Sequence, residues 1–201
     1  MTPLHIICTR EDTRALAELF FAICDDEQQQ VRIDTQDNLG NTPLHLAVEK
    51  GNKWAVEILL RRGADPNSAN EDGNTPLHVI FGKGSNDELA EIFCKICDER
   101  HRPLKHSALD KLGNTPLHLA AERADKKAVE LLLRRGVNPS VHNAEGSTPL
   151  HIVCKGNSDN YDLAFVFFEL SDAEFGPPRV STRDDLGNDR CTWLWLTATR
   201  G

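Results

Sequence analysis

Eight histidines and six cysteines are the residues of this 201-residue chain best suited to hold a metal or move a proton. Five of the histidines, His5, His45, His78, His118 and His151, could ligate a metal or act as general bases if one pocket gathered them. Each closes the same tetrapeptide, Thr-Pro-Leu-His, at Thr2–His5, Thr42–His45, Thr75–His78, Thr115–His118 and Thr148–His151. The starts lie 40, 33, 40 and 33 residues apart. A ladder of identical sites at a fixed interval suits structure better than one active centre, and such a period marks a stacked array of small units.

The other candidates for chemistry are weaker still. His101, His106 and His142 fall in loops without ligand spacing. Cys94 and Cys97 form a single Cys-x-x-Cys, whereas a structural zinc site takes four ligands. That pair sits in a helical stretch with Ile92, Phe93 and Ile96. Cys24 occupies the same repeat position as Cys97, and Cys8 the same as Cys154, which reads as small buried residues recurring with the repeat. Ser147 and Ser181 have no nucleophile context, and Gly82-Lys83-Gly84 lacks the phosphate-loop pattern. No catalyst, metal, cofactor or small-molecule substrate is expected.

The elements that position these residues can be read from Asp37–Ala69. Asp37-Asn38-Leu39-Gly40 is a turn signal, with Gly40 free to take positive φ. Thr42 caps a short helix and Pro43 occupies its first turn, where a missing N–H costs nothing. Leu44, Leu46, Ala47 and Val48 give it an apolar face, and Gly51-Asn52 breaks it. A second helix carries Trp54, Val56, Ile58, Leu59 and Leu60, and Gly63 stops it. Helices of about ten residues are marginal alone, so stacked pairs must bury one another.

These residues resemble the ankyrin repeat, whose pattern has a turn glycine, Thr-Pro-Leu-His, a glycine between helices and Gly-Ala-Asp near the end. Asp37–Ala69 and Asp110–Val141 match it almost throughout, and the resemblance covers about residues 1–188. It implies an all-α solenoid of helix-turn-helix units joined by β-hairpin-like turns. Thr42, Thr75, Thr115 and Thr148 then cap helices, and His45, His78, His118 and His151 link the turns of adjacent repeats. The expected array is a right-handed stack of five units plus the turn of a sixth.

Two kinds of repeat alternate. Units starting at Thr42 and Thr115 are of the standard length. Those starting at Thr2, Thr75 and Thr148 are longer and end without Gly-Ala-Asp, as at Cys24-Asp25-Asp26-Glu27 and Cys97-Asp98-Glu99-Arg100. The true period is therefore 73 residues, a long-plus-short pair duplicated as a block, an alternation that resembles large ankyrin arrays of insects. The extra seven residues are expected between the second helix and the next turn, as protruding loops at Gln28–Asp34, Arg100–Lys105 and Phe175–Val180.

Composition narrows the partners. The chain is 39 % hydrophobic and 27 % charged, with a formal net charge of −8. Without a basic run or an Arg stripe, that surface does not favour nucleic acid or acidic lipid. Arg61-Arg62 and Arg134-Arg135 sit at predicted helix ends, where cations complement the dipole. No apolar run approaches the roughly 20 residues needed to span a bilayer. The first residues do not read as a secretory signal, and the cysteine spacing is not that of a disulfide-stapled domain. The expected location is the cytoplasm, with the nucleus as an alternative.

Both ends read as cut. Met1 runs straight into Thr-Pro-Leu-His, leaving Leu16, Leu19 and Phe20 in an internal-looking unit whose end face should be exposed and apolar. At the other end Asp185-Leu186-Gly187-Asn188 announces a sixth repeat, but Thr-Pro-Leu-His does not follow. One back-translation of Asp189–Leu196, shifted by two nucleotides, encodes Pro-Leu-His-Leu-Ala-Val-Ala. The expected organisation is thus a repeat domain over 1–188 and a divergent tail over 189–201. That tail reads as out-of-frame sequence, the alternative being a genuine cap built on Trp193 and Trp195. A clean in-frame read of the transcript across this junction would reject the shift.

By the resemblance, a partner protein docks on the turn tips and first-helix outer face, the concave side of such arrays. The tip candidates are Asn38, Leu39, Asn41, Glu71, Asp72, Asn74, Lys111, Leu112, Asn114 and Glu145. The first-helix candidates are Glu49, Lys50, Lys83, Glu122 and Arg123. The expected function is a non-catalytic protein–protein interaction scaffold for an unidentified protein. Two alternatives stay open: an inhibitor resembling the ankyrin IκB group, and the recognition fragment of a larger effector, channel or enzyme.

Overall fold

Each Thr-Pro-Leu-His opens a helix for local reasons. Thr42 is extended, with φ −82° and ψ 164°, and Pro43 follows as the first helical residue. Proline's fixed φ suits that position, and its absent N–H would have lacked a partner there anyway. Leu44 is fully buried and His45 almost so. The same arrangement recurs at Thr2 and Thr115.

The computed structural model describes residues 1–10, 14–26, 31–83, 87–155 and 161–171. Among these residues there are ten helices and no strand. The helices come in pairs: α1 (Pro3–Cys8) with α2 (Arg14–Asp26), α3 (Pro43–Glu49) with α4 (Lys53–Arg61), and α5 (Pro76–Lys83) with α6 (Asp87–Glu99). These make one compact unit, Met1–Lys105. The second unit, His106–Gly201, holds α7 (Pro116–Glu122) with α8 (Lys126–Arg134), and α9 (Pro149–Lys155) with α10 (Tyr161–Ser171). The expected tail over 189–201 and the loop at Phe175–Val180 lie outside the described residues.

The second helices of the short repeats, α4 and α8, are amphipathic and individually capped. Asn52 Oδ1 accepts the Ala55 N–H at 3.0 Å, and Asp125 Oδ1 accepts that of Ala128 at 3.1 Å. Such caps satisfy N–H groups that have no partner inside the helix. In α4, Val56, Leu59 and Leu60 are buried, and in α8, Val129, Leu132 and Leu133 are buried. The first helices α1, α3 and α5 pack side by side in the first unit, and α7 packs on α9 in the second. Ala47 and Ala120, both fully buried, keep these helices close.

In the first unit the second helices do not form an even layer. α4 packs on α6, and α8 packs on α10, so each short repeat is tied to the long repeat after it. α2 makes no comparable packing with α4. What joins them is polar and aromatic. Arg62 donates to both carboxylate oxygens of Asp25, at 2.9 and 2.7 Å, and its guanidinium carbon lies 4.2 Å from the centre of the Phe21 ring.

The long repeats correct one expectation. Their extra residues are not gathered in loops after the second helix. α2 and α6 run 13 residues each, against nine in α4 and α8, so most of the insertion lengthens the helix. The reason is visible in α6, where Leu89, Ala90, Phe93, Cys94, Ile96 and Cys97 are all buried. That three-to-four spacing keeps one face inward for the whole length. Nor does Arg100–Lys105 protrude: Asn67 Nδ2 donates to the Pro103 carbonyl, and the Lys105 N–H donates to Asn67 Oδ1, each at 2.8 Å. The Gln28–Asp34 loop is described only from Val31 onward.

Candidate functional site

The turn tips are built by one side chain each. Asp37 Oδ1 accepts the N–H groups of Leu39 and Asn41, both at 2.9 Å. Asn70 Oδ1 does the same for Asp72 at 3.0 Å and Asn74 at 2.9 Å. In the second unit Asp110 holds Leu112 and Asn114, each at 2.8 Å, and Asn143 holds Glu145 at 3.1 Å and Ser147 at 2.9 Å. Burial opposes ionisation of Asp37, yet the two N–H groups on its carboxylate hold it below the ordinary range. The sequence marks Asp37 only as part of a turn signal, and the organising role of all four side chains is not evident from it. Their spacing of 33, 40 and 33 residues was the available signal.

Neighbouring tips are stitched together within each unit. The Glu71 N–H donates to the Leu39 carbonyl at 3.0 Å, and the Ala144 N–H donates to the Leu112 carbonyl at 2.9 Å. Beside these, Asn70 Nδ2 donates to Asn41 Oδ1, and Asn143 Nδ2 donates to Asn114 Oδ1, each at 2.9 Å. A Cβ on Gly40 would stand 2.6 Å from the Glu71 nitrogen, and one on Gly113 would stand 2.7 Å from that of Ala144. Only glycine permits this approach, and the positive φ of both residues demands it as well.

Behind the tips runs the histidine ladder. His45 Nδ1 accepts the Thr42 backbone N–H at 3.1 Å, and its Nε2 lies 2.9 Å from the Asn74 carbonyl. His5 reaches the Asn41 carbonyl at 3.0 Å, and His118 reaches that of Ser147 at 3.1 Å. An accepting Nδ1 and a donating Nε2 define one neutral tautomer. Burial lowers the pKa of His45 and pushes that of His118 down to about 4. His78 and His151 hold the same Nδ1 contact with Thr75 and Thr148, at 3.1 Å. In His5, His45 and His118 the imidazole is therefore spent on linking its own helix start to the next turn.

The candidate partner residues separate into two groups. Asn38, Leu39, Glu71, Asp72, Lys111, Leu112 and Glu145 are exposed at the tips, Leu39 by 63 % and Leu112 by 67 %. Lys50, Lys83, Glu122 and Arg123 are exposed at first-helix ends. Asn41, Asn74 and Asn114 are half-buried, and Asn41 and Asn114 give their Oδ1 atoms to the tip ladder. Glu49, also half-buried, pairs with Lys83 at 2.8 Å. The exposed tip groups thus stand on turns that Asp37, Asn70, Asp110 and Asn143 pin from beneath.

Other features of chemical interest resolve as structure. Cys8, Cys94, Cys97 and Cys154 are buried, and burial pushes the Cys8 thiol up to about 12. Among the described residues no group of three or more His, Cys, Asp or Glu side chains is placed to hold a metal ion. Arg61 pairs with Glu57 at 3.0 Å and approaches Glu99 at 3.9 Å. Arg62 holds Asp25, whose carboxyl lies below its ordinary range because of that hydrogen bond.

Family patterns described as ankyrin repeats match residues 1–70, 62–140 and 117–168. The chain belongs to the ankyrin-repeat family. It is 31 % identical over 185 residues to human transient receptor potential cation channel subfamily A member 1, covering 92 % of this chain and 16 % of that protein. The Drosophila melanogaster protein of that name is 30 % identical over 138 residues, which is 67 % of this chain and 11 % of the relative. Neurogenic locus notch homolog protein 1 of Mus musculus is 30 % identical over 152 residues, 75 % of this chain and 6 % of the relative. The chain therefore spans 16 % or less of the length of these relatives. Ankyrin repeats are generally protein-interaction modules and typically non-catalytic. Among the described residues no helix is long and apolar enough to cross a membrane.

Proposed function

We propose that this chain is a protein–protein interaction scaffold that binds a partner protein through its turn tips and first-helix ends, without catalysis of its own. The observation that carries this is the pairing of Leu39 and Leu112 exposure with a rigid tip backbone. A large apolar side chain held out on a turn pinned by an aspartate side chain costs little ordering on binding and offers an anchor. Acidic Glu71 and Asp72 follow Leu39 in the first unit, and basic Lys111 precedes Leu112 in the second, so the two tips present different charge. The surface suits a folded protein or extended peptide with apolar side chains, not nucleic acid. The cytoplasm, or the nucleus, is the compartment we infer from a cysteine spacing unlike that of a disulfide-stapled domain.

A second reading is that these repeats are the recognition part of a longer chain. The matched share favours it, since a cation channel carries the matched stretch as 16 % of its length. Photo-crosslinking from position 39 or 112 tests the first reading. A crosslinked protein that is lost with Leu39→Ser and Leu112→Ser supports the tips. Equal crosslinking from a reporter at Lys126, exposed at the start of α8, with none at the tips, would reject them.

A further inference from the structure

Three cations share one register in the first unit. Arg10, Lys50 and Lys83 each stand eight residues after the threonine that opens their repeat, at Thr2, Thr42 and Thr75. The register is the C-terminal end of the first helix. Arg10 follows the cap of α1, Lys50 is the cap of α3, and Lys83 is the last residue of α5. All three are exposed.

Because α1, α3 and α5 pack side by side, the register becomes a row across their ends. Two contacts show that the ends are level. The Arg10 carbonyl accepts Asn52 Nδ2 at 3.2 Å, just past Lys50. Lys83 Nζ lies 2.8 Å from Oε1 of Glu49, the residue before Lys50. Packed helices lie about 8–10 Å apart, so the charges recur at that interval. Four residues before each cation is an aliphatic side chain, Ile6, Leu46 or Val79. Residues four apart share a helix face, so an apolar strip runs beside the row. Ile6 is 48 % exposed and Val79 is half-buried, whereas Leu46 is buried.

The helix dipole favours a cation anywhere in the last turn. It does not ask for the same register three times beside an aliphatic strip. A polyproline-type peptide has three residues per turn and rises about 3.1 Å per residue, so every third side chain points the same way, roughly 9 Å from the last. That interval matches the row. Resting on the scaffold function proposed above, the geometry points to an extended peptide with a carboxylate at every third residue as the occupant of these first-helix ends. Its carboxylates meet Arg10, Lys50 and Lys83, and the residues between them lie on Ile6 and Val79. Lys83 serves the peptide as well as Glu49, since its side chain stays 53 % exposed and an ammonium carries three donors. A nucleic acid fits less well. Its phosphates recur at every nucleotide and would press on Glu49 inside the row, and the chain's net charge of −8 opposes a polyanion. Spaced carboxylates leave that interval uncharged.

The test uses the full chain and a fluorescent peptide of four Glu-Pro-Pro units, read by anisotropy. The control peptide has the same composition with its glutamates in one block. The spaced peptide should bind tighter than the control by about tenfold or more, and Lys50→Glu with Lys83→Glu should remove that advantage. Both residues are exposed, so the double variant should keep its melting temperature. Failure of the spaced peptide to bind, equal affinity for the control, or affinity unmoved by the double variant would each overturn the proposal. Tighter binding of a single-stranded oligonucleotide of equal charge would overturn it too. A partner crosslinked from position 39, with no preference for the spaced peptide, would overturn this proposal and leave the scaffold function standing.

Discussion

His118 Nε2 donates to the carbonyl of Ser147, 29 residues further on and at the tip of the next repeat, across 3.1 Å. The same ring accepts the Thr115 N–H through Nδ1 at 3.0 Å. Protonation would place a second ring N–H against that backbone donor. The repeat-to-repeat link is therefore a link of the neutral imidazole.

This sets a pH dependence. The folded pKa of His118, about 4, lies below its ordinary 6.5. A depressed pKa means stability is complete above pH 6.5 and is lost as pH falls toward 4. His45 shifts in the same direction. Two and a half pKa units correspond to roughly 3 kcal/mol for His118. Urea unfolding at pH 7, 5 and 4 should show the loss, and it should be smaller in His118→Asn. A histidine resonance of His118 titrating near 6.5 in the folded protein would contradict this.

Gly40 and Gly113 should tolerate no side chain. Both have positive φ, and a Cβ would meet backbone nitrogen below 3 Å. Gly40→Ala should cost about 2 kcal/mol or more, from the left-handed penalty plus the displacement of the neighbouring tip. Gly63→Ala also has positive φ, but meets only the end of Arg102 at 3.4 Å. Its denaturation midpoint should fall less than that of Gly40→Ala.

Ala124 occupies the position held by Gly51 in the other short repeat. It keeps a positive φ of 52°, against 68° for Gly51. An alanine there is strained, so Ala124→Gly should stabilise the second unit by about 0.5–1 kcal/mol. A melting temperature lower than that of the parent would show that the alanine methyl packs usefully instead.

The fold was legible because each residue of Thr-Pro-Leu-His answers a separate local demand. Thr42 starts the helix, Pro43 fits its first turn, Leu44 fills the core and His45 ties the next tip. A motif so constrained reappears wherever the unit does. The extra length of the long repeats was misplaced because its boundary depends on packing: α6 continues only because Ile96 and Cys97 find cover. Arg62 with Asp25 and Phe21 was invisible for a similar reason, since 37 residues separate the charges and no local pattern joins them. The tip candidates were readable as turn positions. Which of them face inward was not, because Asn41 and Asn38 differ only in their neighbours across the ladder.

Core and tip leucines should behave oppositely. Leu132 is fully buried, and Leu132→Ala should cost about 2–5 kcal/mol. Leu112→Ser, at a 67 % exposed tip, should change stability by no more than about 0.5 kcal/mol. A chemical-denaturation series comparing the two decides whether α8 lies in the core as described.

The tip charges and tip leucines should affect different stages of binding. Glu71 and Asp72 are exposed, with backbone anchored by Leu39 and Asn70. Rim charges of this kind steer encounter more than they hold the complex. Glu71→Lys with Asp72→Lys should therefore alter the association rate of a partner and reverse or flatten its salt dependence. Leu39→Ser should instead speed dissociation, because an apolar anchor at the centre of an interface dominates its energy. Surface-bound kinetics at two salt concentrations separate these effects. If both variants changed only dissociation, the acidic pair would lie within the contact and not at its rim. If neither changed either rate, binding would run through another surface.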